Sequence, residues 1–535
     1  MAGSSTRAEL APPGHRRLRA LVAWTPIALL MSLLAWTGLR GVDFGYHWDE
    51  SEAQIQPVQW SLDERTLLPN YYLYPSVNYG LNLAALFPTL CGDLREGTSA
   101  EDLAADHRAA TDQPQYLLGL RSIRVLLTTL APLWIYLSVW LWRRSRLEAL
   151  LAAGILGLSW EIAYHARWGA PDAVMMQFGA LTLLLTVAAA RRPQQARWRH
   201  LAAVAAALAT GTKYPAGLLL VPVLLVAVFA SPEKHSVRGT AGVVVKVVLI
   251  YAAAFLITTP GAMLQPWAFV RALVVESGWY SQGHWGYTIP AGALHLGRMF
   301  DYLGRVLLSP FPVVAGLLSL AAAAGAWWVW KESRLLAGVL LLFPTIYVAF
   351  FAAQRVMIVR NLLVLAPFMA ILAGRGIIET IGRFRWQQGR WALAAIVAAM
   401  LALQAAWLVH AAESIHGRSL DDPGADLAGY IRSHSGDRFL LSQRVQEEVA
   451  KPGEELPENA LAESGNADFV AVYAYEAMPN LEWPANLRTL TVRTFGPLEV
   501  NFNYYPTWEG NDRIVLMTFE RACSVGVDFV EPLCP

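Results

Sequence analysis

Residues 201–230 read LAAVAAALATGTKYPAGLLLVPVLLVAVFA, an apolar stretch with a single charged residue, Lys213, near its middle. About 20 apolar helical residues span the roughly 30 Å hydrocarbon core of a bilayer. The stretch is therefore either one long membrane helix that buries the lysine or two short helices that turn at GTKYP, residues 211–215. This choice decides the side of the membrane on which every later segment lies.

The distribution of basic residues favours two helices. Short loops that are rich in Lys and Arg remain in the cytoplasm. With one helix, the later basic loops would face outwards, whereas with two helices every basic loop faces the cytoplasm. These loops are residues 143–146, 191–199, 234–238, 331–334 and 375–390. We therefore expect the chain to turn at Lys213.

The composition of the whole chain is that of a membrane protein. Of its 535 residues, 55% are hydrophobic and 16% are charged, and the mean hydropathy is +0.36. A soluble chain carries about 25% charged residues. The apolar run at residues 21–39 is long enough to span a bilayer, which predicts a retained first span, with a cleaved signal peptide as the alternative. With it, about eleven spans are predicted, the others at residues 123–142, 147–164, 173–190, 201–212, 216–230, 243–259, 306–330, 335–351, 362–373 and 391–410.

This topology predicts a cytoplasmic N-terminus at residues 1–20 and a membrane domain at residues 21–411. Outer loops are expected at residues 40–121 and 260–305. Residues 412–535 are predicted to form a small soluble α/β domain on the outer, periplasmic face. Its expected helix lies at residues 425–433, and its expected strands lie at residues 438–442, 468–475, 487–494 and 513–519.

The three cysteines, Cys91, Cys523 and Cys534, all fall on the predicted outer side. In an oxidising compartment Cys523 and Cys534 would form a disulfide; unpaired thiols are the alternative that the sequence leaves open. No cysteine or histidine spacing resembles a zinc site.

The first outer loop opens with DFGYHWDESE, residues 43–52, which includes His47, Asp49 and Glu50. Acidic residues beside aromatic ones at a membrane boundary are costly unless they have partners or a function. Sugar transfer needs a base that accepts the proton of the acceptor hydroxyl, and a carboxylate here would serve. The alternative is a solvated loop in which the acids balance Arg40.

Aromatic and charged residues recur on the same predicted face. Tyr74 lies in LPNYYLYPS, residues 68–76, which suits either a sugar-binding wall or an interfacial anchor. The segment WEIAYHARWGAPD, residues 160–172, places His165, Arg167 and Asp172 within one turn. These residues either pair with Glu161 and with one another to close a hairpin, or Arg167 binds a phosphate.

Several cations on this face would stabilise the charge of a departing phosphate. The candidates are Lys213, at the break between two short helices, His284, and Arg360 in a later turn. A lysine that merely snorkels towards lipid phosphates is the alternative for Lys213. No glycine-rich Walker loop is present, which disfavours a nucleotide-hydrolysing pump, and no basic surface interleaved with aromatics indicates nucleic acid.

The sequence His47-Trp48-Asp49-Glu50 resembles the His-x-Asp-Glu signature of GT-C-type glycosyltransferases, although Trp48 stands where proline is common. The chain is most similar to the bacterial family 39 branch, which is related to protein O-mannosyltransferases and to the aminoarabinose transferase of lipid A. The remaining motifs follow in the order of that family. They are YPS at residues 74–76, residues 165–172, GTKYP at 211–215, GH at 283–284, and VRNLL at 359–363 followed by APF at 366–368.

The resemblance implies an all-α, GT-C-like polytopic enzyme of the inner membrane with a polyprenyl-phosphate sugar donor. Its acceptor would be a lipid, a glycan or a protein. Asp49 would be the general base, and Glu50 would orient the site or help to bind a divalent cation; metal dependence varies in such enzymes, so no ion is implied. The donor phosphate would be held by Lys213 and Arg360, with Arg167 and His284. Further substrate contacts are expected from His47, Tyr74, His165, Asp172 and Tyr214.

Two other function classes remain as alternatives. A lipid-linked glycan transporter or flippase would place its charges near the membrane midplane, within broken helices and often in repeated halves. Here the candidate charges gather at one predicted face and no inverted repeat is evident. An envelope scaffold would leave those charges without a purpose.

Overall fold

The computed structural model describes residues 13–43, 50–96, 100–283, 287–418, 423–450, 455–461, 466–473, 492–495, 514–527 and 529–534. Within these ranges the chain forms a large helical domain followed by a small domain with a five-stranded sheet. The predicted class, an all-α polytopic membrane protein with a small α/β domain, is confirmed. The exact domain boundaries and the side on which each end lies stay predictions.

The helical domain contains α1 to α20, joined in places by short 3-10 or π-helical turns. Their bounds are α1 Pro13–Leu39, α2 Gln56–Asp63, α3 Ser76–Ala84, α4 Phe87–Glu96, α5 Ala100–Ala110, α6 Pro114–Thr128, α7 Ala131–Arg143, α8 Arg146–Gly157, α9 Trp160–Ala166, α10 Asp172–Arg191, α11 Ala196–Thr212, α12 Leu220–Phe229, α13 Val237–Thr258, α14 Gly261–Leu264, α15 Pro266–Gln282, α16 Ala293–Arg305, α17 Pro312–Glu332, α18 Arg334–Ala352, α19 Ala366–Arg383 and α20 Gln387–Arg418. Short 3-10 or π-helical segments lie at Ser51–Ile55, Tyr214–Leu219, Pro232–His235 and Val359–Leu365.

Each of the eleven predicted spans overlaps a helix. Among the described residues, seven helical segments are long and apolar enough to cross a membrane, and an eighth is counted if α8 and α9, bent by 54° at residues 158–159, form one span. Two further apolar helices, Trp24–Leu39 and Tyr214–Phe229, are shorter. The chain is therefore a multi-pass membrane protein, and the count of about eleven spans stays a prediction.

One predicted span begins in the wrong place. Residues 306–311 do not belong to the helix that was expected at 306–330, because α17 begins at Pro312. Proline is favoured at the first position of a helix, where its missing N–H costs nothing, and Pro310 and Pro312 together end the preceding helical turn.

The chain does break at Lys213, as the basic loops predicted. The residue is extended (φ −153°, ψ 128°) between α11 and a 3-10 turn that leads into α12. Ala203 of α11 and Val223 of α12 lie in one buried apolar cluster. A continuous helix would separate these residues by about 30 Å. The two short helices therefore fold back on each other as a hairpin.

The closest helix packing in the bundle is between α17 and α19. A Cβ on Gly376 would lie 1.9 Å from the carbonyl oxygen of Ala321, and one on Gly325 would lie 1.8 Å from that of Leu372. Only glycine fits at either position. Small residues let helix backbones approach closely in membranes, and these two glycines do so within α17 and α19.

The predicted outer segments are largely helical rather than irregular. In the first, α2, α3 and the start of α6 enclose a small core formed by Val58, Tyr79, Tyr116 and Leu120. The second contains α14, α15 and α16. Apolar periodicity was too weak in these short segments to distinguish them from loops.

The C-terminal domain contains α21 (Pro423–Ser433), β1 (Phe439–Leu441), α22 (Gln443–Val449), β2 (Ala460–Leu461), β3 (Phe469–Tyr473), β4 (Arg493–Phe495), β5 (Ile514–Thr518) and α23 (Phe519–Val525). The strand order is β2-β1-β3-β5-β4. β1 is parallel to β2 and β3, whereas β5 is antiparallel to β3 and β4.

Both faces of this sheet are covered. Alternate residues of β3 enter two separate cores, Val470 and Val472 on one face and Ala471 on the other. The predicted helix and three of the four predicted strands match; of the strand expected at 487–494, residues 487–491 lie outside the described residues. The sequence missed the two-residue β2 and the helices α22 and α23. Cys523 and Cys534 form a disulfide, which resolves the alternative left open by the sequence.

Candidate active site

A buried cluster of charges forms around Asp172, the first residue of α10. Its carboxylate accepts a hydrogen bond from Lys213 Nζ at 2.8 Å, and the Nε of Arg360 lies 3.3 Å from its other oxygen. All three side chains are at most 5% exposed. Two cations thus converge on one carboxylate inside an apolar bundle.

Each of these three residues lies where a helix begins, breaks or gives way to a 3-10 turn. Lys213 lies at the break between α11 and the next turn, and Arg360 lies in a 3-10 turn before α19. Asp172 begins α10, where the positive end of the helix dipole favours a carboxylate. Irregular backbone at membrane depth is tolerated where it is buried in protein or lines a cavity.

Neutral polar groups complete this cluster. Lys213 Nζ donates to Asn361 Oδ1 at 2.5 Å, and Asn361 Nδ2 donates to the hydroxyl of Tyr280 at 3.0 Å. The hydroxyl of Tyr347 donates to the carbonyl oxygen of Asn361 at 2.7 Å. Burial raises the pKa of Tyr280, so its hydroxyl stays protonated. Asn361 and Tyr280 were not among the predicted site residues; only their position beside Arg360 and His284 in the motifs pointed to them.

A second buried cluster contains Glu50, the described half of the Asp-Glu pair. Arg121 donates to both of its carboxylate oxygens, at 3.0 and 2.6 Å, and the backbone N–H of Gly169 donates to Oε1 at 2.6 Å. Glu50 and Arg121 are each 1% exposed. The alternative of a solvated loop start is therefore wrong for Glu50.

The two clusters are joined by residues 168–172. Gly169 binds Glu50, and Asp172, three residues later, binds Lys213. The Arg360 guanidinium lies over the ring of Trp168, 4.9 Å from its centroid. A Cβ on Gly169 would lie only 3.0 Å from the Cγ atoms of Glu50 and Gln54. Glu50 therefore holds the start of the segment that presents Asp172.

A polar network that the sequence did not predict lies beneath the first outer segment. Arg124 is fully buried and donates to Asn78 Oδ1 at 2.9 Å, to Asn82 Oδ1 at 2.5 Å and to Gln54 Oε1 at 3.3 Å. Asn78 also donates to Gln54. Since these amides are scattered over residues 54–82, only the tertiary fold brings them to Arg124.

The other predicted charges of residues 160–172 have partners other than Lys213 and Arg360. His165 Nε2 lies 3.5 Å from Glu161, which also accepts a hydrogen bond from the hydroxyl of Tyr302 at 2.8 Å. Arg167 donates to the carbonyl oxygens of Ala163, at 3.0 Å, and of Thr37. The sequence left open that His165, Arg167 and Asp172 pair with Glu161 and with one another. In the structure His165 pairs with Glu161, whereas Arg167 and Asp172 contact other groups.

Aromatic side chains cover Lys213 from the side of the outer segments. Lys213 Nζ lies 5.8 Å from the centroid of Tyr74, and the hydroxyl of Tyr214 donates to the carbonyl oxygen of Tyr72 at 2.7 Å. The hydroxyl of Tyr72 donates to Gln265 at 2.5 Å. Burial, and to a smaller extent Tyr79, raises the pKa of Tyr72 to about 12, so this donor is permanent at neutral pH.

Three predicted site residues, His47, Asp49 and His284, lie outside the described residues. Among the residues that are described, no three His, Cys, Asp or Glu side chains come together as a metal site. Whether Glu50 orients the site or helps to bind a divalent cation stays a prediction.

Comparison with known proteins bears on the membrane domain. A family model described as dolichyl-phosphate-mannose-protein mannosyltransferase matches residues 116–260. The predicted resemblance is confirmed over this range. It includes Arg121, Asp172 and Lys213 but covers well under half of the chain. No curated protein is significantly similar to the chain in sequence.

Two solved structures align with the chain at TM-scores just below 0.5. ArnT from Cupriavidus metallidurans, in a structure bound to undecaprenyl phosphate, is 14% identical; the alignment covers 94% of this chain and 99% of ArnT, with a TM-score of 0.48. The apo oligosaccharyltransferase of Archaeoglobus fulgidus is 12% identical over 78% of this chain and 63% of that chain, with a TM-score of 0.46. We base no assignment on these two similarities.

Proposed function

We propose that this chain is a membrane glycosyltransferase that moves a sugar from a polyprenyl-phosphate carrier to an acceptor at the outer face of a bacterial inner membrane. The observation that carries the proposal is the convergence of Lys213 and Arg360 on Asp172 inside an apolar bundle. The family match over residues 116–260 supports the class of reaction. The acceptor class, whether lipid, glycan or protein, stays open.

The charge of the cluster suits a lipid-linked phosphate. A sugar linked to a polyprenyl phosphate carries one negative charge on its phosphodiester, with which the cations Lys213 and Arg360 would pair. Burying a charge costs much less free energy when it is paired and hydrogen-bonded. Since Lys213 is only 4% exposed, the aromatic side chains that cover it must move before a phosphate reaches it.

Sugar transfer follows from these groups as a direct displacement. The oxygen of the acceptor hydroxyl attacks the anomeric carbon, and the bond between that carbon and the phosphate oxygen breaks with its electron pair on the phosphate. The released polyprenyl phosphate gains a negative charge, which Lys213 and Arg360 are placed to stabilise. The leaving phosphate needs no proton, so one base for the acceptor hydroxyl suffices, and the anomeric carbon is inverted.

Asp49 remains the proposed base. The described carboxylates near the site are already engaged, Glu50 by Arg121 and Gly169, and Asp172 by two cations. Carboxylate oxygens that already accept these hydrogen bonds are not placed to receive the proton of an acceptor hydroxyl. Glu50 and Asp172 are therefore proposed to position the site, while the neighbouring Asp49 accepts the proton.

The test uses the full-length protein in proteoliposomes with a panel of polyprenyl-phosphate sugars, and it measures the release of polyprenyl phosphate. Lys213→Met should reduce the rate by about 10²–10³, the effect of losing one donor to a developing oxyanion. Lys246→Met, which removes an exposed lysine of α13, is the matched control and should leave the rate unchanged. Equal rates for Lys213→Met and the wild type would contradict the proposed phosphate site.

The base and the reaction class are tested in the same system. Asp49→Asn should lower the rate by about 10²–10⁴ while the protein remains folded, and a near-normal rate would reject the base. If the wild type moved labelled lipid across the bilayer without releasing polyprenyl phosphate from any donor, the transporter alternative would replace the enzyme.

A further inference from the structure

Three basic side chains lie on tryptophan rings where α17, α18 and α19 end or begin. Lys331 Nζ lies 4.6 Å from the centroid of Trp327, and the guanidinium of Arg334 lies 4.0 Å from that of Trp330. The guanidinium of Arg383, the last residue of α19, lies 3.7 Å from the centroid of Trp328. We call these six residues the Trp–cation surface.

This surface is remote from the candidate active site. Arg360 precedes α19, whereas Arg383 ends it. The 18 residues of α19 rise by about 27 Å, close to the thickness of the hydrocarbon core. The Trp–cation surface therefore lies near the opposite membrane boundary from Asp172, at the helix ends that the basic loops place in the cytoplasm.

The described carboxylates neutralise only part of the positive charge of the Trp–cation surface. Arg383 shares Glu379, at 3.4 Å, with Arg375. The adjacent Glu332 is engaged by Arg143 and Arg375. Within the described part of the chain, neither Lys331 nor Arg334 has a carboxylate partner within salt-bridge distance. The surface therefore carries an excess of positive charge, next to indole rings that are 55% exposed at Trp327 and 45% exposed at Trp330.

We propose that the Trp–cation surface binds the headgroup of an anionic phospholipid. Indole rings prefer the boundary between hydrocarbon and headgroups, so they hold the stacked cations at the level of lipid phosphates. A guanidinium that stacks on a ring keeps its in-plane N–H donors, which match phosphate oxygens in pairs. Basic surfaces between membrane helices on the cytoplasmic side bind acidic headgroups in this way. The site is independent of the proposed sugar transfer.

The test measures lipid retention by native mass spectrometry of the full-length protein in detergent, titrated with phosphatidylglycerol or with phosphatidylcholine. The wild type should retain phosphatidylglycerol in preference. The triple variant Lys331→Gln, Arg334→Gln and Arg383→Gln should lose this retention by about a hundredfold, because each of the three cations near an anionic headgroup contributes roughly fivefold.

The matched control is Arg146→Gln, Arg191→Gln and Arg238→Gln, which removes the same charge from other basic loops. None of these three arginines is stacked on an indole ring in the described structure. The control should retain phosphatidylglycerol like the wild type. An equal loss in both variants, no loss in the first, or equal retention of both lipids by the wild type would each overturn the proposal.

A second variant guards against the possibility that the triple variant loses lipid because it misfolds. Trp327→Leu with Trp330→Leu keeps an apolar side chain at both positions but removes the rings that hold Lys331 and Arg334. It should lower phosphatidylglycerol retention by several-fold while leaving the cations present. If retention were unchanged, the stacked geometry would be irrelevant and the proposal would fail.

Discussion

The pair Glu50–Arg121 offers the sharpest prediction about how the site is held. Both side chains are 1% exposed and joined by two hydrogen bonds, so removing either one leaves an uncompensated buried charge. Such a loss destabilises a protein by about 3–5 kcal/mol. Glu50→Leu and Arg121→Leu should each lower the free energy of unfolding by this amount.

The double variant Glu50→Leu with Arg121→Leu should be more stable than either single variant. It removes both charges and leaves mainly the backbone N–H of Gly169 without its acceptor, a cost of about 1–3 kcal/mol. The summed cost of the single variants, about 6–10 kcal/mol, should therefore far exceed that of the double variant. Sugar transfer should nevertheless stay low in the double variant, because Gly169 no longer anchors the segment that presents Asp172.

The assay is thermal unfolding of the three variants in one detergent, combined with polyprenyl phosphate release in proteoliposomes. The reasoning would be refuted if the stabilities of the single variants added up in the double variant, since the pair would then not be coupled. It would also be refuted if the double variant recovered full transfer activity, because Glu50 would then have no role in positioning the site.

Three further outcomes are expected. Gly376→Ala should lower the melting temperature, because its Cβ would strike a backbone carbonyl of α17, whereas Gly382→Ala, with open space around it, should not; equal melting temperatures would contradict the packing. Cys523→Ser should destabilise the C-terminal domain by about 2–4 kcal/mol, measured as faster proteolysis of that domain, and an unchanged rate would show that the bond to Cys534 does not matter. Leu67→Cys, at an exposed position of the first outer segment and combined with Cys91→Ser to remove the free thiol there, should react with an impermeant thiol reagent in intact spheroplasts; labelling only after permeabilisation would reverse the predicted sidedness.

The sequence predicted the parts of the fold that depend on local composition. Apolar runs located the membrane helices, and the basic loops required the turn that the structure places at Lys213. Motif order further singled out Asp172, Lys213 and Arg360, which the fold brings together although they are separated by up to 188 positions, from 172 to 360.

The sequence could not predict which group each charged side chain binds. His165, Arg167 and Asp172 looked alike as candidates within one turn, yet only Asp172 joins the cations, because α10 begins there and the helix turns its carboxylate towards Lys213. The network of Arg124 rests on neutral amides that carry no charge pattern to detect. These outcomes depend on how helices pack over long sequence distances.

The central claim is that Lys213 and Arg360 hold the phosphate of the donor lipid. The most direct measurement is an electron cryomicroscopy structure of the full-length protein in nanodiscs with added polyprenyl phosphate. The account predicts phosphate density within about 3 Å of the Lys213 ammonium and the Arg360 guanidinium, with the covering aromatic side chains displaced. Phosphate density bound elsewhere, with the Asp172 cluster still closed, would contradict it.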